Sequence, residues 1–73
     1  MKGYFDGCSK GNPGEAGAGA LLTDDHDGVV WQTAQPLGKK TNNEAEYAAL
    51  IFLLTEAKKR GVKELHIFGD SKL

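Results

Sequence analysis

Thr41-Asn42-Asn43-Glu44-Ala45-Glu46-Tyr47-Ala48-Ala49-Leu50 reads as the opening of a helix. Thr41 with Glu44 three residues on fits a capping box, in which the threonine hydroxyl takes the third helical N–H and the glutamate reaches back to the cap N–H. Apolar positions continue through Phe52, Leu53 and Ala57. Lys58-Lys59-Arg60 then favours the negative end of the helix dipole, and Gly61 suits the position just past a helix. This predicts a helix over 42–60. Leu50, Ile51 and Leu54 widen its apolar face, so it is expected to be covered on more than one side.

Outward from that helix, the chain reads as strands. Residues 2–7 alternate, with Tyr4 and Asp6 on one face and Gly3 and Phe5 on the other. Ser9-Lys10-Gly11-Asn12-Pro13-Gly14 is a turn cluster. A second strand is expected over 17–23, where glycines at 17 and 19 suggest close approach of another backbone or a ligand. Asp24-Asp25-His26-Asp27-Gly28 reads as a polar hairpin turn, and a third strand is expected over 29–35. On the far side of the helix, 63–69 reads as a fourth strand.

These elements imply one α/β unit: a three-stranded antiparallel meander, a crossover helix and a fourth strand. A right-handed crossover makes strand four parallel to strand three, and hence to strand one. If strand four pairs with strand one, Asp6 and Asp70 end side by side, and Glu46 sits one turn into the helix that leaves from the same end. Any one of these acids alone reads better as a surface carboxylate in a turn or a helix first turn. Together they would be costly without a cation, and hard divalent ions such as Mg2+ prefer oxygen ligands.

Composition narrows the setting. The 73 residues hold at most one small domain, and a net charge of −1 argues against a broad basic surface, so contact with nucleic acid would be local. Lys39-Lys40 and Lys58-Lys59-Arg60 are the basic clusters, read first as a solvated loop and a helix end. No apolar run approaches the roughly 20 residues of a membrane span, and the first residues lack a signal-peptide pattern. The single Cys8 has no internal partner, which suits a cytoplasmic location. His26 is expected in solvent and His66 on a strand face. Trp31 and Tyr47 are expected to pack in the core rather than to serve as stacking platforms.

Three blocks carry a family resemblance: Asp6-Gly7-Cys8-Ser9-Lys10-Gly11-Asn12-Pro13-Gly14 with Gly17 and Gly19, Thr41 to Leu50, and Gly69-Asp70-Ser71. In this order they resemble ribonuclease H type 1, of the bacterial, archaeal and plant branch. The chain corresponds to the first half of that mixed-sheet fold, with the second half, including a further catalytic aspartate and a loop histidine, missing. The resemblance implies endonucleolytic hydrolysis of the RNA strand of RNA/DNA hybrids with two metal ions, Mg2+ or Mn2+ in its place. Asp6 would bridge the metals, and Glu46 and Asp70 would each hold one. Gly7, Cys8 and Ser9 would face the RNA backbone, Asn12, Asn42 and Asn43 would offer amides to the minor groove, and Ser71 would bond a carboxylate or phosphate. The alternative is a weakly active or inactive RNase H-like module that binds nucleic acid or self-associates. An open edge on strand four and an uncovered outer stripe on the helix imply a homodimer or swapped assembly.

Overall fold

The structure is a computed structural model that describes residues 1–69. Its elements are β1 (Lys2–Gly11), β2 (Gly14–Thr23), β3 (Val29–Lys40), α1 (Asn42–Lys59) and β4 (His66–Gly69). The sheet order is β3-β2-β1-β4, with β1 antiparallel to β2, β2 antiparallel to β3, and β4 parallel to β1. The expected topology is therefore present: a meander, a helical crossover, and a last strand returned beside the first.

The boundaries differ from the sequence reading. The β1–β2 ladder runs on to the pair Gly11–Gly14, so only Asn12 and Pro13 form the hairpin loop, and β1 passes its expected end at Gly7. Gly11 takes φ 98°, a left-handed conformation open to glycine, and this is how so short a loop closes. β3 continues past Gln35 to Lys40. Pro36 is accommodated because β3 is an edge strand and the register shifts at that point, between Ala16 and Gly17 of β2. β4 is shorter than expected, His66–Gly69 rather than 63–69.

One face of the sheet packs against α1. Ala16, Ala18, Ala20 and Leu22 of β2 alternate inward and are buried, and Ala45, Ala49, Leu53 and Ala57 repeat every fourth residue to form the buried stripe of the helix. Small side chains on both surfaces bring helix and sheet close. Leu22 and Leu53 are fully buried at the centre, with Phe5, Trp31, Phe52 and Leu65 around them. Leu53 lies over Gly3, where a Cβ would come within 2.9 Å of its methyl groups. The core expectation thus holds for Trp31. It fails for Tyr47, which is 66% exposed: on α1 it falls outside the every-fourth-residue stripe that meets the sheet. Among the described residues, only the sheet covers the helix, and Ile51 and Leu54 are exposed.

The capping box at the start of α1 is complete. Glu44 N–H donates to Thr41 Oγ1 at 3.1 Å, and Thr41 N–H donates to Glu44 Oε1 at 2.9 Å. At the opposite corner, Asp24 Oδ1 accepts from the N–H groups of His26 and Gly28, both at 2.8 Å, and closes the β2–β3 turn. The Met1 ammonium meets Asp25 and Lys2 meets Asp27, both at 3.0 Å. These exposed pairs contribute little to stability. His26 is solvated there, as expected.

Candidate active site

The parallel pairing of β4 with β1 covers Lys2–Phe5 and brings Gly69 beside Phe5. From Asp6 onward, β1 has β2 on one side only among the described residues. The first turn of α1 crosses β1 at this point. Gly7 is the crossing: a Cβ there would collide with the Ala45 carbonyl and the Glu46 amide. Only glycine permits so close an approach, and it sets the strand carrying Asp6 directly against the turn carrying Glu46. Side chains alternate along a strand, so Gly7 faces the helix while Asp6 and Cys8 face the other side of the sheet. Asp6 is exposed and Glu46 is half-buried.

A second set of contacts fixes the start of the helix. Asn42 is its first residue, and the N–H of a first helical residue has no partner within the helix. Here Asn42 N–H donates to Asn12 Oδ1 at 3.0 Å, and Asn42 Oδ1 accepts from Ser9 N–H at 2.7 Å. Ser9 Oγ lies 2.8 Å from the Lys40 carbonyl and also meets the Gly11 carbonyl. Residues 9, 12, 40 and 42 thus form one knot joining β1, the β1–β2 loop and the β3–α1 junction. A backbone N–H can only donate, so both asparagine oxygens must face these bonds. Each Nδ2 donor is then turned the other way, and both asparagines are exposed.

Of the residues singled out from sequence, the structure places Asp6, Gly7 and Glu46 at the β1–α1 crossing, and Ser9, Asn12 and Asn42 in the adjoining knot. Asn43 is exposed on the same helical turn, and Cys8 is exposed opposite Gly17. Asp70 and Ser71 lie outside the described residues. Among the described residues, no three His, Cys, Asp or Glu side chains gather into a metal cage. Asp6 and Glu46 supply hard oxygen donors, the chemistry that suits Mg2+ or Mn2+. A groove of about 380 Å³ between β3 and α1, walled by Trp31, Ile51 and Phe52, shares no residue with this site.

The knot is what sequence reasoning missed. The resemblance implies ligand-facing roles for Ser9, Asn12 and Asn42, whereas each also carries an internal bond. The signal available was the capping box itself: it makes Asn42 a first helical residue with an N–H in need of an acceptor.

With this arrangement in view, comparison with known proteins is specific. The sequence profile of the Reverse transcriptase-like family matches residues 4–73. Ribonuclease HI of Halobacterium salinarum is 44% identical over 70 residues, which are 96% of this chain and 35% of that protein. The bifunctional protein Rv2228c of Mycobacterium tuberculosis is 49% identical over 69 residues, 93% of this chain and 19% of that one. The crystal structure of the Halobacterium RNase H1 aligns with a TM-score of 0.88 at 42% identity, covering 97% of this chain and 54% of that chain. LC11-RNase H1, isolated from compost and solved in complex with an RNA/DNA hybrid, aligns at 0.87 and 36% identity, again over 97% and 54%.

The chain belongs to the Reverse transcriptase-like family of RNase H-like domains. Within it, the chain resembles RNase H type 1 and matches the N-terminal part of that domain, spanning about half the length of the solved relatives. No described helix is long and apolar enough to cross a membrane.

Proposed function

We propose that this chain carries the metal-binding core of an RNase H-type endonuclease that hydrolyses the RNA strand of RNA/DNA hybrids. The supporting observation is the β1–α1 crossing at Gly7, which sets the strand segment carrying Asp6 against the helical turn carrying Glu46. The pairing of Gly69 beside Phe5 supports Asp70, next in the chain, as the third acid. Asp6, Glu46 and Asp70 would hold Mg2+, with Mn2+ able to replace it. A pair of such ions would supply an activated water and charge stabilisation at the leaving oxygen. The carboxylates themselves bind and orient; they form no covalent bond with substrate.

Recognition of the hybrid rests on donors. The Nδ2 groups of Asn12 and Asn42, with Asn43 beside them, suit the acceptor-rich minor groove and the 2′-hydroxyl that marks RNA. Gly7, Cys8 and Ser9 would line the same stretch with backbone, the Ser9 N–H being already held by Asn42 Oδ1, and Ser71 would add a hydroxyl. The test is cleavage of an end-labelled RNA/DNA hybrid with Mg2+ or Mn2+. Metal-dependent cutting that Asp6→Asn removes supports the reading, and folded protein that cuts at no concentration rejects it.

A second reading, a module that binds hybrid without cutting, is favoured by one observation: the asparagine knot is built without the acids. Binding that survives Asp6→Asn in the absence of any wild-type cleavage would select it. We also propose self-association through the β4 edge, where Ile67 and Phe68 are exposed, and the outer face of α1 at Ile51 and Leu54. Sedimentation as a monomer at high concentration would reject that assembly. A cytoplasmic site of action accords with the lone Cys8 and belongs to the same proposal.

A further inference from the structure

Asn42 and Glu46 are four residues apart on α1, so they lie one above the other on a single helix face. Whatever fixes the side chain of Asn42 also fixes the rotation of that face. Two bonds hold Asn42, one through its side chain and one through its backbone. Ser9 N–H on β1 holds the Asn42 oxygen at 2.7 Å, and Asn12 Oδ1 in the hairpin loop holds the Asn42 N–H at 3.0 Å. Neither partner belongs to the helix, so α1 is keyed to β1 three residues beyond Asp6 on one side and to the loop on the other.

The Gly7 crossing fixes how near the helix comes to β1, and the stripe of Ala45, Ala49, Leu53 and Ala57 fixes which face meets the sheet, but the small side chains at the first turn leave its fine rotation loosely defined. The capping box does not fix it either, because both of its bonds are local to residues 41–44. At the first turn, the Ser9–Asn42–Asn12 chain adds the directional contact that refines it. Ser9 is anchored in turn, through Oγ to the Lys40 carbonyl at 2.8 Å, just ahead of the cap residue.

We propose that Asn42 is a positioning residue for the metal site: through its bonds to Ser9 and Asn12 it sets the rotation of α1 and so aims Glu46 at the cation held with Asp6. This rests on the metal-binding reading above. It adds to Asn42 a role distinct from contact with nucleic acid, carried by its oxygen and backbone N–H rather than by its outward Nδ2.

The test is Mn2+ binding to the 73-residue chain without nucleic acid, read by calorimetry and by paramagnetic broadening of amide signals. Loss of a group that orients a metal ligand typically costs about 10–100-fold in affinity. Asn42→Ala is expected to weaken Mn2+ binding at least about tenfold at unchanged helical circular dichroism. Asn42→Asp keeps an oxygen for Ser9 N–H and is expected to restore it. Thr55→Asp, which adds the same charge at an exposed position farther along α1, is expected to leave affinity within about threefold of wild type.

Equal Mn2+ affinity in wild type and Asn42→Ala overturns the positioning role while leaving the metal site intact. No saturable binding to wild type removes the metal reading itself, and the positioning role with it. Should Asn42→Ala fail to fold, the wild type still decides. Coupling is reciprocal, so added Mg2+ must slow hydrogen exchange at the Ser9 amide and leave the distant Gly28 amide unchanged. Equal Ser9 exchange with and without Mg2+ overturns the proposal.

Discussion

Gly7 and Glu46 meet backbone to backbone: the α-carbon of Gly7 lies so close beneath the first turn of α1 that any side chain there would strike the Glu46 amide and the Ala45 carbonyl. This contact sets the strand segment that carries Asp6 against the helical turn that carries Glu46. It also divides labour along β1. Odd residues meet the helix, while Asp6 and Cys8 face the open side.

Gly7→Ala is therefore expected to be costly. The obstructing atoms are backbone, which cannot swing aside as a side chain does, so helix and strand must separate. Overpacking of this kind costs about 1–3 kcal/mol, and the account places Gly7→Ala at the upper end of that range or beyond. Gly3→Ala is the control: its neighbours are the tips of the Leu53 side chain, which can move, and a smaller loss is expected. Urea unfolding of the two variants checks the order.

Leu53 is the largest fully buried side chain of the α1 stripe and packs with Leu22 and Ala20. Leu53→Ala is expected to lower stability by about 2–5 kcal/mol, enough to unfold much of a chain this small. Leu54→Ala, one residue along and exposed, is expected to fall within about 0.5 kcal/mol of wild type. Thermal melts by circular dichroism compare them.

The cap has a pH signature. Hydrogen bonds from Thr41 hold the Glu44 carboxyl below its ordinary value of 4.5. A carboxyl depressed in the folded state stabilises above its unfolded pKa, and that contribution fades as pH falls through the folded value. The melting temperature is thus expected to drop between about pH 5 and about pH 3, and to drop less in Glu44→Gln. Asp24, also held low by the N–H groups of Gly28 and His26, keeps part of the slope in that variant. An identical pH profile in both proteins would contradict the role given to the cap.

Asn12→Asp separates the inner and outer faces of the knot. The variant retains an oxygen for Asn42 N–H, so the fold is expected to persist. Its outward donor becomes a charged acceptor facing acceptors, and hybrid affinity is expected to fall by about 1–3 kcal/mol, roughly 5- to 150-fold. Fluorescence anisotropy with a labelled hybrid in Ca2+, beside a circular dichroism spectrum, measures both.

Much of this was legible in the sequence because local chemistry and topology agree. Thr41 and Glu44 mark the cap, and the alternating alanines of β2 mark its inner face. The right-handed crossover makes β4 parallel to β1. Boundaries were less legible, since strand ends are set by where a partner still offers hydrogen bonds. Gly11 and Gly14 read as turn residues, yet they pair with each other at the end of the ladder. The expected third strand stops at residue 35, yet the ladder continues through Pro36, which sits on an edge strand at a register shift. Tyr47 reads as core because the stretch around it is apolar, but the sheet meets only every fourth residue of α1. Inward bonds of Ser9, Asn12 and Asn42 depend on the distance between a loop and a helix end, which no single segment encodes.

Anomalous diffraction from crystals soaked in Mn2+ puts the central claim to its most direct test. The account predicts a peak within bonding distance of carboxylate oxygens from both Asp6 and Glu46, above the crossing at Gly7. Crystals showing this fold with the two carboxylates turned apart, and no Mn2+ between them at millimolar concentration, would contradict it.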